Sequence, residues 1–181
     1  MSHNVWFTAD THFGHSNIIK YCKRPFLDKA GNPDPSYQDE VIIQRFNEVL
    51  RPGDILWHLG DVSWSSFDKL NGFLKRLNTK EVHLIWGNHD KPKDFKGLPF
   101  RSFSDLRSIK VADSRMILCH YPMRSWNGKG SGTYQLYGHV HGQMPGIDRQ
   151  MDVGVDTNNF YPWAFEEIRD RMERIPYNNY D

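Results

Sequence analysis

The chain has 181 residues, 38% of them hydrophobic and 25% charged, with a formal net charge of +1. That length suits one domain spanning 1–181, burying roughly 70% of the surface its unfolded chain would expose. A charge so close to zero excludes a global attraction to nucleic acid or an anionic membrane, and no apolar run approaches the roughly 18 residues of a membrane-spanning helix. Two cysteines, Cys22 and Cys119, stand in no close motif, which argues against a disulfide framework and for a reducing, cytoplasmic setting. The opening Met1-Ser2-His3-Asn4 lacks the basic-then-apolar pattern of a secretory signal. Nine histidines are many for this length, and their placement decides how to read them.

In chain order, Val5 to Ala9 reads as a strand, followed at once by Asp10-Thr11-His12-Phe13-Gly14-His15. Asp10 and His12 alternate around Thr11, so an extended exit points both to one side. Residues 16–35, with Arg24-Pro25, Gly31, Pro33 and Pro35, form an excursion lying near the Asp10 loop. A helix fits 36–50, with Ser36 as N-cap and Val41, Ile42, Phe46, Val49 and Leu50 on one face; Arg51-Pro52-Gly53 stops it. A second strand, 54–59, ends in Gly60-Asp61. The next helix fits 66–77 through Phe67, Leu70, Leu74 and Leu77, with Gly72 weakening the pattern. Val82 to Trp86 is a short buried strand broken by Gly87 and followed by Asn88-His89-Asp90.

A Lys- and Pro-rich loop covers 91–99, and residues 100–113 read as an edge strand or hairpin arm. Met116 to Cys119 is a strand ending in His120, and 121–133, with Pro122, Arg124, Trp126, Gly128, Lys129, Gly130 and Gly132, reads as a mobile loop. Tyr134 to Tyr137 is a strand ending in Gly138-His139-Val140-His141-Gly142. A further strand fits 151–155, with Asp156 supporting the turn after it. Pro162 suits the first position of a last helix carrying Trp163, Ile168, Met172 and Ile175, and the tail from Pro176 is polar and loose.

The polar sets share a pattern: Asp10 and His12, Asp61, Asn88 and His89, His120, and His139 with His141 all sit at strand exits. Strands alternating with helices gather their carboxyl ends on one rim, so residues from 10 to 141 converge on one crevice. Carboxylates mixed with imidazoles suit Mn, Fe, Zn or Ni rather than the all-oxygen shells of Mg and Ca. Asp10, His12, Asp61, Asn88, His120, His139 and His141 are too many for one tetrahedral ion and enough for two sharing a bridging carboxylate. His89 is left over as a general acid or charge stabiliser, with Asp90 placed to fix its tautomer. His58 and His83 lie inside strand patterns and read as packing residues. His15 could cap, pack or touch substrate, and Arg24, Arg124, Trp126 and Lys129 lie on flanking loops from which an arginine could reach a phosphate oxygen.

Asp10-x-His12, Gly60-Asp61, Gly87-Asn88-His89-Asp90, His120 and Gly138-His139-x-His141 together resemble the motif set of the calcineurin-like metallophosphoesterases, in order, spacing and strand context, over residues 5–156. The phrase Asp10 to His15 with Asn17 is similar to a compact, cap-less bacterial and phage-type branch. The resemblance implies an αββα sandwich of two mixed β-sheets flanked by helices. It implies one ion on Asp10, His12, Asp61 and His141, the other on Asp61, Asn88, His120 and His139, with Asp61 bridging and manganese the first metal to test. It also implies a metal-bridging hydroxide as nucleophile, with His89 facing the leaving-group or phosphate oxygen. The expected activity is phosphate-ester hydrolysis, with a lean toward diesters, nucleotides among them, because a small cap-less chain leaves the site open. Two competing readings are a scaffold that keeps the fold without turnover, and a sequence-independent nuclease using the local basic run Lys91, Lys93, Lys96 and Arg101. The sequence carries no signal for oligomeric state.

Overall fold

Four parallel strands make the frame on which everything else is hung. In the structure, a computed structural model describing residues 3–177, these are β1 (Val5–Thr8), β2 (Ile55–His58), β3 (Glu81–Ile85) and β4 (Ser102–Ser104). Their order is β4-β3-β2-β1, and β9 (Trp163–Ala164) adds an antiparallel edge beside β1. The run 100–113 divides into two elements. β4 closes the first sheet, and after Asp105 the chain enters β5 (Leu106–Val111), which pairs antiparallel with β6 (Ser114–Cys119). β7 (Tyr134–Tyr137) and β8 (Gln150–Asp152) extend this second sheet in parallel, giving the order β5-β6-β7-β8. These are the two mixed sheets, accompanied by helices, that the family resemblance implies.

The sheets face each other through the alternating side chains of their strands. Phe7, Trp57 and Ile85 from the first sheet meet Met116, Leu118, Tyr134, Leu136 and Met151 from the second, all buried. On the other face of the first sheet lie α1 (Ser16–Tyr21), α2 (Pro35–Val49) and α3 (Phe67–Arg76), covering Leu56, Val82 and Leu84 with Ile18, Ile42, Phe46, Leu70 and Leu74. Each such buried aliphatic or aromatic side chain contributes about 1.5–3 kcal/mol, and this double core holds the strand exits in register. Part of the 121–133 loop, which includes a single 3₁₀ turn at Lys129–Ser131, lies against the outer face of β7 and β8. There Gln135 and Gln150 donate to the Tyr121 and Met123 carbonyls.

The helix ends show where local chemistry differs from the expected boundaries. α2 is capped by Asp34, not Ser36: the Asp34 carboxylate accepts from Tyr37 N at 2.9 Å and Pro35 takes the first helical position, where its missing N–H costs nothing. α3 begins after Ser66, whose hydroxyl accepts from Lys69 N, and Gly72 is tolerated inside it. The Lys91–Pro99 loop contains a one-turn helix, α4 (Pro92–Phe95). The last helix, α5 (Phe165–Glu173), starts three residues beyond Pro162, because Trp163 and Ala164 first pair with Phe7 and Trp6 as β9. Its Phe165, Ile168 and Met172 close one end of the inter-sheet core. The polar tail expected from Pro176 falls mostly outside the described residues. Among the described residues no helix is long and apolar enough to cross a membrane.

Candidate metal centre

The exits of β1 and β2 run side by side beyond the sheet. Asp10 N donates to Gly60 O at 2.9 Å, His12 N to Asp61 O at 3.1 Å and Phe13 N to Val62 O at 2.9 Å, so the parallel ladder continues into both loops. The loops then turn through left-handed backbone: Asp10 (φ 57°), His12 (48°), Asp61 (57°), His139 (70°) and His141 (49°) all lie there. Non-glycine residues in that region are uncommon and gather at functional sites, where surrounding structure holds them. Here Asp90 is one of the holding groups. Its buried carboxylate accepts from Asp61 N at 2.8 Å, Val62 N at 2.9 Å and Gly87 N at 2.9 Å. Glycine is required at two close approaches: a Cβ at Gly87 would lie 2.3 Å from Asp61 N, and one at Gly138 would lie 2.6 Å from Asp10 Oδ2.

All seven predicted ligands come together. Asp10, His12 and His141 offer ligand atoms within 4.8 Å of one another, as do Asp61, His120 and His139. Asn88 Oδ1 joins the second set, 3.0 Å from His120 Nε2 and 2.9 Å from His139 Nδ1. Asp61 Oδ2 lies between the sets, 3.7 Å from His12 Nε2 and 3.5 Å from His120 Nε2. Burial, partly offset by the His141 and His120 imidazoles, pushes Asp10 up to about 7. For Asp61 burial acts in the same direction but loses to the His120 hydrogen bond and charge and to the His89 N–H, holding it at about 2.

This arrangement fits cations. Both ring nitrogens of His12 are buried without a hydrogen-bond partner, and burial lowers its pKa to about 2, leaving a neutral ring with a bare lone pair. His120 donates from Nδ1 to Leu59 O at 2.7 Å, which turns its Nε2 lone pair toward the oxygens of Asn88 and Asp61. Burial disfavours a charge on His120, but Asp61 and Asp10 outweigh it and raise the pKa. His141 Nδ1 lies 2.7 Å from Asp156 Oδ2, leaving Nε2 for the site; burial opposes its charged form, yet the bonds to Asp156 and Cys22 and the Asp10 charge carry the pKa to about 10. Carboxylate, amide and imidazole donors converging on two points, with a buried His12 that no protein group satisfies, are what divalent ions resolve.

His89 belongs to neither set. Its side chain is 44% exposed on the rim, with Nε2 4.0 Å from Asp61 Oδ2. Asp90 makes no hydrogen bond to the His89 ring, because its oxygens are spent on backbone N–H groups; the expectation that it fixes the His89 tautomer is corrected to a role in pinning the Asp61 loop. Arg24 is corrected likewise. Its side chain is fully buried, with Nε and Nη2 on Asp156 at 2.8 and 2.7 Å, Nη2 on Asp10 O at 2.7 Å and Nη1 on Gln38 Oε1 at 2.9 Å. It braces the loop carrying Asp10 from behind and has no face left for a substrate. Arg124 lies exposed on the loop over the second sheet, lining a cavity with Trp126 and Lys129; Trp126 is buried and Lys129 pairs with Asp148 at 2.8 Å.

His15 does reach the centre, 5.4 Å from the His12 ring and stacked on Trp64 at 4.1 Å. Trp64, three residues beyond Asp61, is a neighbour of the centre that the sequence pattern did not single out; its ring lies 4.3 Å from that of His89. Asp156 supports the site through His141 and Arg24. A third potential set, Cys22, His141 and Asp156, shares His141, and its carboxylate is already paired with Arg24. His58 and His83 are packing residues: His58 bridges Thr11 Oγ1 and Gly60 N, and His83 stacks on Trp57 at 4.4 Å.

Comparison with known proteins agrees with this geometry. Residues 3–170 match the model of the calcineurin-like phosphoesterases. The chain is 30% identical to an uncharacterized protein of Methanocaldococcus jannaschii, over 94% of this chain and 92% of that protein. It is 27% identical to the gene 66 protein of Mycobacterium phage D29, over 95% and 97% of the two chains. Among solved structures, a protein of unknown function from Aquifex aeolicus superposes with a TM-score of 0.75 at 26% identity, covering 94% of this chain and all of that one. An archaeal phosphodiesterase shares the fold at a TM-score of 0.51 and 20% identity, over 83% of each chain. With that match spanning nearly its whole length and a site suited to divalent metal ions, the chain belongs to the calcineurin-like phosphoesterase family.

Proposed function

We propose that this single-domain chain hydrolyses phosphate esters with two divalent transition-metal ions, one held by Asp10, His12 and His141 and the other by Asn88, His120 and His139, with Asp61 shared. The observation that carries the reading is the pair of ligand sets facing each other across Asp61 Oδ2. Such ions, when bound, polarise phosphoryl oxygens and lower the pKa of a bound water from about 15.7 toward about 7. The mixed imidazole, carboxylate and amide donors favour Mn, Fe, Zn or Ni, and manganese is the first to supply.

His89 is the chain's own acid or charge stabiliser. Its backbone N–H is anchored on Asp61 Oδ1 at 2.9 Å while its ring stays open to the rim, so it can meet the departing ester oxygen without being a ligand. The exposed rim at His89 and His139 leaves room for substituents on both sides of a phosphorus, which supports a diester. The test is metal-stripped protein resupplied with Mn²⁺ and offered bis(4-nitrophenyl) phosphate or 4-nitrophenyl phosphate. Turnover that needs Mn²⁺ and favours the diester is expected. Preference for the monoester would replace the diester reading by a phosphatase, and silence on both with two ions bound would overturn the enzyme.

A further inference from the structure

A groove of about 620 Å³ opens from Asn88 and His89 and runs past Trp64, Phe67, Lys91 and Lys93. Of the six tryptophans, five are buried or half-buried, whereas Trp64 is 45% exposed. Trp64 and Phe67 are both exposed and both line this groove, and apolar surface grouped in a concavity, rather than a lone exposed side chain, marks a binding site. The ring is also held in place. Trp64 N donates to Phe13 O at 2.8 Å, Ser63 Oγ donates to the same carbonyl at 3.1 Å, and His15 stacks on the indole with an interplanar angle of 14°. A platform fixed before the ligand arrives saves the ordering cost that a mobile side chain would impose.

The rest of the groove fits the same ligand. Phe67 is 42% exposed, adding a second aromatic surface. Lys91 and Lys93 are exposed, and among the described residues neither has a carboxylate within 4 Å; Asp94 lines the groove but pairs with neither. Arg101, by contrast, is engaged with Glu81 at 2.6 Å and does not add to them. A flat aromatic surface next to a phosphate-handling centre, with free ammonium groups further along, is the arrangement that receives a base on one side and phosphates on either side of its sugar.

We propose that this groove binds a nucleoside arm of the substrate, with the base on Trp64 and a further phosphate at Lys91 and Lys93. The inference rests on the hydrolase reading for the chemistry at phosphorus, but not for the binding itself. The near-zero net charge confines the attraction to this groove, so a nucleotide or short oligonucleotide fits better than a long duplex.

Binding to the Mn²⁺-loaded protein is measured by calorimetry with adenosine 5′-monophosphate, adenosine 3′,5′-bisphosphate and inorganic phosphate. The monophosphate is expected to bind tighter than phosphate, and Trp64→Ala to weaken it by about 5- to 150-fold, with Trp64→Phe retaining most of the affinity. Lys91→Gln with Lys93→Gln is expected to weaken the bisphosphate more than the monophosphate. Equal binding of monophosphate and phosphate, or equal weakening of both by Trp64→Ala, would overturn the proposal. A second arm compares turnover of thymidine 5′-(4-nitrophenyl phosphate) with that of methyl 4-nitrophenyl phosphate. The kcat/KM ratio in favour of the nucleoside ester is expected to collapse in Trp64→Ala, and a ratio unchanged by that variant would also refute the subsite. If neither ester turns over while monophosphate binding still depends on Trp64, the hydrolase reading falls and the nucleoside subsite stands.

Discussion

Replacing Arg24 by methionine keeps much of the side chain's volume and removes its charge. The guanidinium makes a two-pronged contact with Asp156 and also satisfies Asp10 O, Thr11 O and Gln38 Oε1, all in a region closed to water. Without it, a buried carboxylate keeps only His141 as a partner, and two backbone carbonyls lose their donor. Breaking a buried ion pair from one side costs about 3–5 kcal/mol. At this chain length that corresponds to a fall in melting temperature of about 6–20 °C. Urea unfolding of metal-stripped Arg24→Met supplies the number, and manganese titration of the same variant is expected to show weakened binding, because Asp10 and His141 lose their brace together. The double variant Arg24→Met, Asp156→Asn is expected to lose at least about 1 kcal/mol less than the sum of the two single losses, since the stranded charge is gone. A loss below about 1 kcal/mol in the single variant, or strict additivity in the double, would refute the idea that Arg24 acts through this buried lock.

Three further outcomes are expected. His89→Ala should retain both ions by metal analysis and lose about 10²- to 10⁴-fold in turnover, and loss of metal along with activity would contradict its place outside the ligand sets. Asp61→Ala should lose bound metal, because its carboxylate faces both sets, and full occupancy in that variant would sink the shared-ligand assignment. Burial pushes the Asp39 carboxyl up to about 6 against the opposing Gly14 N–H and Lys69. A raised folded pKa means a cost absent below about pH 4 and complete above pH 6, so Asp39→Asn should gain stability relative to the parent across that window; a flat difference in unfolding free energy from pH 4 to 7 would contradict the sign.

The ligands were readable because each set follows an apolar strand, directly as at Asp10 and His120 or after a glycine as at Leu84-Ile85-Trp86-Gly87-Asn88. Period and composition suffice for such features. Pairings across long separations leave no local trace. Arg24 and Asp156 are 132 positions apart, so an arginine in a Pro-rich excursion reads as a loop cation until folding closes it against its carboxylate. Asp90 follows His89 directly, which suggests contact with its ring, yet the turn aims the carboxylate back at Asp61 and Val62. Trp64 could have been noticed as an aromatic close behind Asp61, but its exposure depends on the loop anchored to Phe13. At the carboxyl end, Pro162 suggested a helix start; two residues of edge pairing with β1 took precedence, and a strand that short has no period to detect.

Each ligand set is drawn from both halves of the sandwich. Asp10, His12, Asp61 and Asn88 follow strands of the first sheet, and His120, His139 and His141 follow strands of the second. Ions seated there would act as rivets through two plates, so a slip of one sheet over the other would shear both sets at once. The alignment of those plates is kept by Phe7, Trp57, Met116, Leu118 and Leu136, buried between the sheets. Metal affinity is thereby a mechanical property of the whole sandwich, and a methyl group removed from its filling loosens the centre without touching it.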